Sequence, residues 1–338
     1  MLRTACALSL AAISAVAGSA YAQVFIEDGQ SNTINSRITN VVVVRDSAGG
    51  TPTAATIVNG GDLGRGGFAF EISLFVEGTS SVVLDGGRIR RSVVTLGDSL
   101  FRIESGIVNQ DVYIDQNSRF IMNGGTAGFD VVAFATGSST LNGGTIRNDF
   151  AVVESGRGVI NGGTVENDVV ALGDGFIEIF DGILEDDLIA ENRAVINMFG
   201  GSLDDDVEAG DDSIVRLFGG SFGEDVEAFA GGRIEIFGGT FAANGIQNQD
   251  SGIASGGTST IVISGTDFEI DGQAVGFGEI VATSGVLTGT LSDGSSLNSN
   301  ILRVDEQGTL GTIILVPTPG SAVLLALGGA LAGIRRRR

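Results

Sequence analysis

A pair of glycines, or a close substitute, recurs every 19 residues along this chain, nine times over. The pairs are Gly86-Gly87, Ser105-Gly106, Gly124-Gly125, Gly143-Gly144, Gly162-Gly163, Asp181-Gly182, Gly200-Gly201, Gly219-Gly220 and Gly238-Gly239. No insertion or deletion breaks the register across residues 80–250. Such strict spacing requires stacked, near-identical units rather than a globular core around one pocket.

Counted from Ser80, the fifth position of each unit is always apolar: Leu84, Ile103, Met122, Leu141, Ile160, Ile179, Met198, Leu217 and Ile236. The third is mostly apolar, and side chains two apart on a strand point the same way. The glycine pair follows, where a turn needs positive φ or close backbone approach. An apolar tenth position comes next (Ile89, Val108, Ala127, Ile146, Val165, Leu184, Leu203, Phe222, Phe241). A last stretch begins with Val93, Val112, Val131, Phe150, Val169, Leu188, Val207 and Val226. Three short strands in 19 residues are too compact for helix-pair repeats of about 33 residues or more. Glycine would also fall inside every helix, and period-3.6 patterning is absent. The predicted fold is all-β, a parallel β-helix solenoid with 19-residue rungs and inward columns stacked as aliphatic ladders.

The register loosens at both ends. Residues 23–60 are expected to form an N-terminal cap and residues 61–316 the β-helix, with regular rungs over 80–250. Asp62 to Thr79 reads as a rung with displaced glycines, Gly66-Gly67. Ala242 to Thr258 carries an insertion, and beyond Gly265 no clear register can be set, although the chain stays strand-rich to Val316.

Two address segments flank this region. Residues 1–22 read as a secretory signal: Arg3, an apolar run from Ala5 to Gly18, and Ala20-Tyr21-Ala22 as an A-x-A cleavage site, with cleavage after Ala22. The one cysteine, Cys6, lies inside the signal, so the mature chain would hold neither a disulfide nor a cysteine metal site. At the other end, Ser321 to Ile334 is a Gly/Ala/Leu-rich apolar run closed by Arg335, Arg336, Arg337 and Arg338. It is shorter than the roughly 20 residues of a comfortable bilayer span, and the arginines would hold the extreme C-terminus on the cytoplasmic side. Pro317-Thr318-Pro319-Gly320 stands immediately before it.

A Pro-x-Pro motif, an apolar segment and an arginine tail, behind an N-terminal signal, resemble the PEP-CTERM surface proteins sorted by exosortases. Thr318 stands where that family usually has Glu. The resemblance implies that residues 317–338 are a sorting and anchor segment, acted on by a peptidase of exosortase type. The tail would be a transient membrane anchor, with delivery to the cell surface or extracellular matrix.

Without Arg3 and the four tail arginines, 14 arginines face 41 Asp and Glu, a mature charge of −27. That surface repels nucleic acid and favours cations. Any membrane contact would then come through the C-terminal segment alone.

Position thirteen is acidic in seven successive units: Asp111, Asp130, Asp149, Asp168, Asp187, Asp206 and Asp225. Stacked carboxylates repel, and two readings offset that cost. Each Asp could cap the turn it starts by accepting backbone N–H groups. Alternatively, Asp186, Asp187, Asp205, Asp206, Glu224 and Asp225 could hold a divalent cation, with Ca²⁺ favoured by the all-oxygen ligands. Position six changes from Asn123, Asn142 and Asn161 to Phe180, Phe199, Phe218 and Phe237. These would form corner ladders, or the Phe row a platform for sugar rings or a partner.

A catalytic pair breaks a repeat locally, whereas here the Asp column is the repeat. The mature chain also lacks His, Lys and Cys, the commonest bases and nucleophiles after carboxylates. No catalytic residue and no organic cofactor is assigned, and the chain is not expected to be an enzyme. The expected role is an exported acidic β-helix acting as a structural or adhesive component of the cell surface or matrix. Its partners would be exopolysaccharide or other surface proteins. The alternative is a secreted polysaccharide lyase or hydrolase of the β-helix type.

Overall fold

The computed structural model describes residues 23–64, 72–241, 252–303 and 309–319. All regular structure among them is β-strand, linked into one continuous parallel solenoid of about 11 turns. From Arg119 onward each turn is built alike. A four-residue strand (Arg119–Met122 through Arg233–Ile236) is followed by a two-residue strand (Thr126–Ala127 through Thr240–Phe241). A three-residue strand completes the turn, from Val131–Ala133 through Val226–Ala228. Up to Phe241 these strands stack in parallel at a spacing of 19 residues, as in Ile160↔Ile179, Val165↔Leu184 and Ala171↔Ala190. Val226–Ala228 and Arg233–Ile236 pair instead with residues 27 further on, at Ile253–Ser255 and Thr260–Ile263, so the regular register expected to residue 250 ends at Phe241.

The inward columns are the predicted ones. All nine side chains at position five, from Leu84 to Ile236, are 0% exposed. Burying each stabilises the fold by roughly 1.5–3 kcal/mol relative to exposure. Volume is matched across the core as well as along it. Where position three shrinks to Gly158, the Phe150 ring fills the space, and a Cβ on Gly158 would stand 2.6 Å from Phe150 Cε1.

Two corners recur with different chemistry. At the glycine corner it is the second residue of each pair, from Gly106 onward, that takes positive φ. A Cβ on Gly163 (φ +90°) would lie 2.8 Å from the carbonyl oxygen of Gly144 one rung below. From Ser105 onward the first position does not take positive φ, which leaves room for Ser105 and Asp181, although a Cβ on Gly124 or Gly200 would also stand 2.6–2.7 Å from a carbonyl of the rung below. The corner that closes each rung is also left-handed, at Gly97, Gln116, Ala135, Glu154, Gly173, Asn192, Asp211 and Ala230. Gly97, Gly173, Asn192 and Asp211 suit that conformation but Gln116, Ala135, Glu154 and Ala230 do not, so no one residue type repeats here and this corner left no sequence signal.

The segment expected to cap the N-terminus winds in the same three columns. Gln23–Ile26 stacks on Val41–Val44, Ser31–Ile34 on Ala54–Val58, and Arg37–Ile38 on Asp62–Leu63, all parallel. The corner glycines of this rung are Gly60-Gly61, since Ala54–Val58 and Asp62–Leu63 pair on either side of Gly86-Gly87. That corrects the placement at Gly66-Gly67, which lies outside the described residues. Unequal loop lengths between these first turns hid their register.

The solenoid expected through residue 316 ends differently. Thr260–Ile270 begins as an ordinary rung on Arg233–Ile236. Beyond Gly265 it runs antiparallel to Ser284–Leu291, which is itself antiparallel to Ser296–Leu302. Thr312–Pro317 lies parallel over Thr260–Gly265, and Gly278–Glu279 adds antiparallel beyond it. Phe268, Leu287, Leu291, Leu297 and Ile301 are buried beneath this cap. Reversing strand direction at the end stops the edge from templating another parallel rung. No helix among the described residues is long and apolar enough to cross a membrane. The secretory signal and the apolar tail both fall outside those residues.

Candidate cation-binding columns

The Asp column sits at the start of the three-residue strand, where the backbone reverses its bonding sense. There the carbonyl of each Asp accepts from the rung below: Val112 N–H donates to Asp130 O at 2.8 Å and Leu188 N–H to Asp206 O at 2.8 Å. The N–H of the same Asp therefore lacks a carbonyl partner in the ladder. A side-chain oxygen one rung below supplies the acceptor. Asp149 N–H donates to Asp130 Oδ1 at 3.3 Å, Asp206 N–H to Asp187 Oδ1 at 3.2 Å, and Asp225 N–H to Asp206 Oδ1 at 2.8 Å. The series finishes with Gly252 N–H on Asp225 Oδ1 at 2.7 Å. The turn-capping expectation is thereby refined: each carboxylate caps the turn of the next rung, not its own. A buried backbone donor must be paired, which accounts for an Asp in rung after rung.

The remaining carboxylate oxygens are served differently along the axis. Asp111 takes the hydroxyls of Ser92 (3.1 Å) and Tyr113 (3.0 Å). Asp130 takes the amide of Asn148, and Asp149 that of Asn167 at 2.6 Å. In the next three rungs the Asn position becomes Asp186, Asp205 and Glu224. Asp168, Asp187 and Asp206 then meet a carboxylate where their predecessors met an amide.

Two triads result, Asp168–Asp186–Asp187 and Asp187–Asp205–Asp206, each with one oxygen per residue mutually within 4.8 Å. Asp187 belongs to both. Of the residues expected from the sequence, Asp186, Asp187, Asp205 and Asp206 are brought together, and Asp168 joins them. Glu224 lies beside Asp205 at the upper margin, and Asp225 is engaged with Gly252. Glu185 and Asp204, next in sequence, point into solvent. Position twelve carried the missing signal: its change from Asn to Asp marks where donors give way to acids.

Electrostatics follow the same division. Burial pushes the Asp168 carboxyl up to about 6, helped by the charges of Asp149, Asp186 and Asp187. Burial also raises Asp186 and Asp187, with neighbouring acids adding to it. Asp206 is raised for the same reasons, against the N–H of Asp225 that favours its charge. Glu224 is raised chiefly by the charge of Asp205. Three hard oxygen donors in a half-buried, strongly negative pocket fit Ca²⁺, whose 6–8 oxygen ligands would be completed by second carboxylate oxygens and water.

On another corner, the Asn residues form an amide ladder. Asn161 donates to Asn142 and Asn142 to Asn123, both at 2.8 Å, and Asn123 to Glu104 at 2.9 Å. Above it, Phe180, Phe199, Phe218 and Phe237 stack with centroids 4.9–5.1 Å apart and planes within 8°. The middle rings are covered on both faces by their neighbours and show only edges to solvent. A sugar platform needs exposed ring faces, so the ladder stiffens the corner instead. Beside it, an open depression is lined by Gly162, Gly163, Thr164, Asp181, Gly182, Ile183, Gly201 and Ser202. It offers a single carboxylate and lies away from the acidic columns. Comparison with family models, curated proteins and solved structures returned no match.

Proposed function

We propose that this chain is an exported structural or adhesive component of the cell surface or extracellular matrix, with divalent cations bound along its acidic columns. The observation that carries the reading is the repetition itself. Each Asp of the column is committed to the backbone of the next rung, and the rungs keep one geometry across the region where carboxylates concentrate. Such a scaffold gains from cations that neutralise adjacent rungs, as a rigid spacer would.

Delivery would follow from the C-terminal tail. Pro317 and Thr318 are exposed at the end of the last strand, accessible to a sorting peptidase. Locating the native protein and determining its C-terminal residue by mass spectrometry tests this. Loss of the residues after about Gly320 is expected, and a mature chain retaining Arg335–Arg338 would overturn transient anchoring.

One observation favours the polysaccharide-cleaving alternative. Asp168, held protonated up to about pH 6 beside ionisable neighbours, resembles the acid of a glycosidase pair. Release of reducing or unsaturated sugar ends from acidic polysaccharides, abolished by Asp168→Asn, would establish it in place of the scaffold role.

A further inference from the structure

The C-terminal end of the solenoid carries an apolar surface that the acidic columns do not explain. Its outermost strand, Gly278–Glu279, lies antiparallel on Thr312–Pro317, and Ile280 N–H extends the pairing to Ile313 O at 3.0 Å. Phe277 is 56% exposed at one end of this strand and Val281 92% exposed just past the other; Leu310, before Thr312–Pro317, is 52% exposed. Glu279, within the strand, is paired with Arg303 at 2.6 Å. The chain leaves the fold at the Phe277 end of this strand pair, while Val281 and Leu310 lie toward Thr312 at its other end. Pro319 is the last described residue and the apolar run begins at Ser321, a separation two residues can stretch to no more than about 7 Å.

We propose that this cap is a bilayer-contacting surface, with Phe277, Val281 and Leu310 entering the interfacial region of a membrane while the tail is inserted. It rests on the reading of residues 321–338 as a membrane anchor and adds that the folded domain itself touches lipid. With so short a tether the cap cannot stand away from the surface in which the tail sits. Exposed apolar side chains there gain by leaving water. The exposed acids Asp267, Glu269 and Asp271 on the neighbouring hairpin disfavour anionic headgroups, so the lipid is zwitterionic and the contact apolar.

The chain contains no tryptophan, so a single substitution gives an unambiguous fluorescent reporter. The full-length chain would be reconstituted into phosphatidylcholine vesicles with and without brominated acyl chains. Reporters would be Phe277→Trp, Val281→Trp, Leu327→Trp in the tail, and Phe25→Trp at the opposite end, with circular dichroism checking each fold. The expected result is at least threefold quenching at 277, 281 and 327 and none at 25. Quenching at 327 without quenching at 277 and 281 overturns the cap contact and leaves the anchor standing. Quenching at none of these positions overturns both. Quenching at 277 and 281 but not at 327 upholds the cap contact and removes the anchor.

Discussion

Replacing Asp205 with asparagine separates an ion site from a merely acidic surface. Asp205 occupies the position that Asn167 holds two rungs below, where the amide reaches Asp149 at 2.6 Å. In the wild type it instead places a carboxylate within 4.8 Å of those of Asp187 and Asp206. Two unit charges at about 4.8 Å repel by about 0.9 kcal/mol in water and about 3.5 kcal/mol at an effective dielectric of 20. Restoring the amide removes that repulsion and adds a hydrogen bond to a charged acceptor. Without divalent cations, Asp205→Asn should be more stable than the wild type by about 1–3 kcal/mol. Thermal melts followed by far-UV circular dichroism, in EDTA, in millimolar CaCl₂ and in NaCl of equal ionic strength, would measure this. Bound Ca²⁺ stabilises the wild type by RT ln(1 + [L]/Kd), about 2.7 kcal/mol at a hundredfold excess over Kd, and should stabilise the variant far less. The stability order would then reverse on adding calcium. A variant less stable than the wild type in EDTA refutes the repulsion; equal stabilisation by both salts refutes the site and leaves screening.

In metal-free buffer the melting temperature should fall as pH rises from about 4 to about 7. Asp111, Asp149, Asp168, Asp186, Asp187 and Asp206 are all raised above their ordinary 3.8, mainly by burial, with Asp168 at about 6. Folding therefore favours their protonated forms, at no cost below pH 3.8 and increasing cost as pH climbs through the folded values. A melting temperature that rises over this window would sink the argument. Phe199→Ala, which loses a stacked ring on each face, should cost about 1–3 kcal/mol; Phe180→Ala, with one stacked neighbour and 40% exposure, should cost less in the same melts. Ala135→Gly relaxes a left-handed alanine (φ +49°) at the rung-closing corner and should leave stability unchanged or raise it by up to about 1 kcal/mol, whereas Gly163→Ala should lower it.

The rungs were legible because their cause is local. Positive φ at the second corner glycine and full burial at position five leave almost no choice of residue, so both write themselves into every repeat. The rung-closing corner imposes a similar backbone on Gln116, Ala135 and Glu154, yet surrounding strand pairs hold it there without demanding glycine. Residues 23–63 escaped for a geometric reason, since loops of unequal length separate strands that still stack in register. The Asp column was visible, but its purpose depended on the bonding reversal at that corner, which residue spacing does not encode. The contrast between Asn167 facing Asp149 and Asp186 facing Asp168 was equally hidden, because the partners are 18 residues apart and not 19.

A chain wound as repeated equal turns also has a definite response to force. Pulled by its two ends, such a solenoid releases turns singly from an end, because each rung is held chiefly by the rungs on either side. Every released turn frees 19 residues, about 65 Å of contour length at roughly 3.4 Å per residue, in place of the few ångströms it occupied along the axis. Extension would proceed in equal steps at similar loads, dissipating work each time. Within the C-terminal cap Thr312–Pro317 is fastened in parallel to Thr260–Gly265, so a load applied through the C-terminal tail meets that clasp before any regular turn.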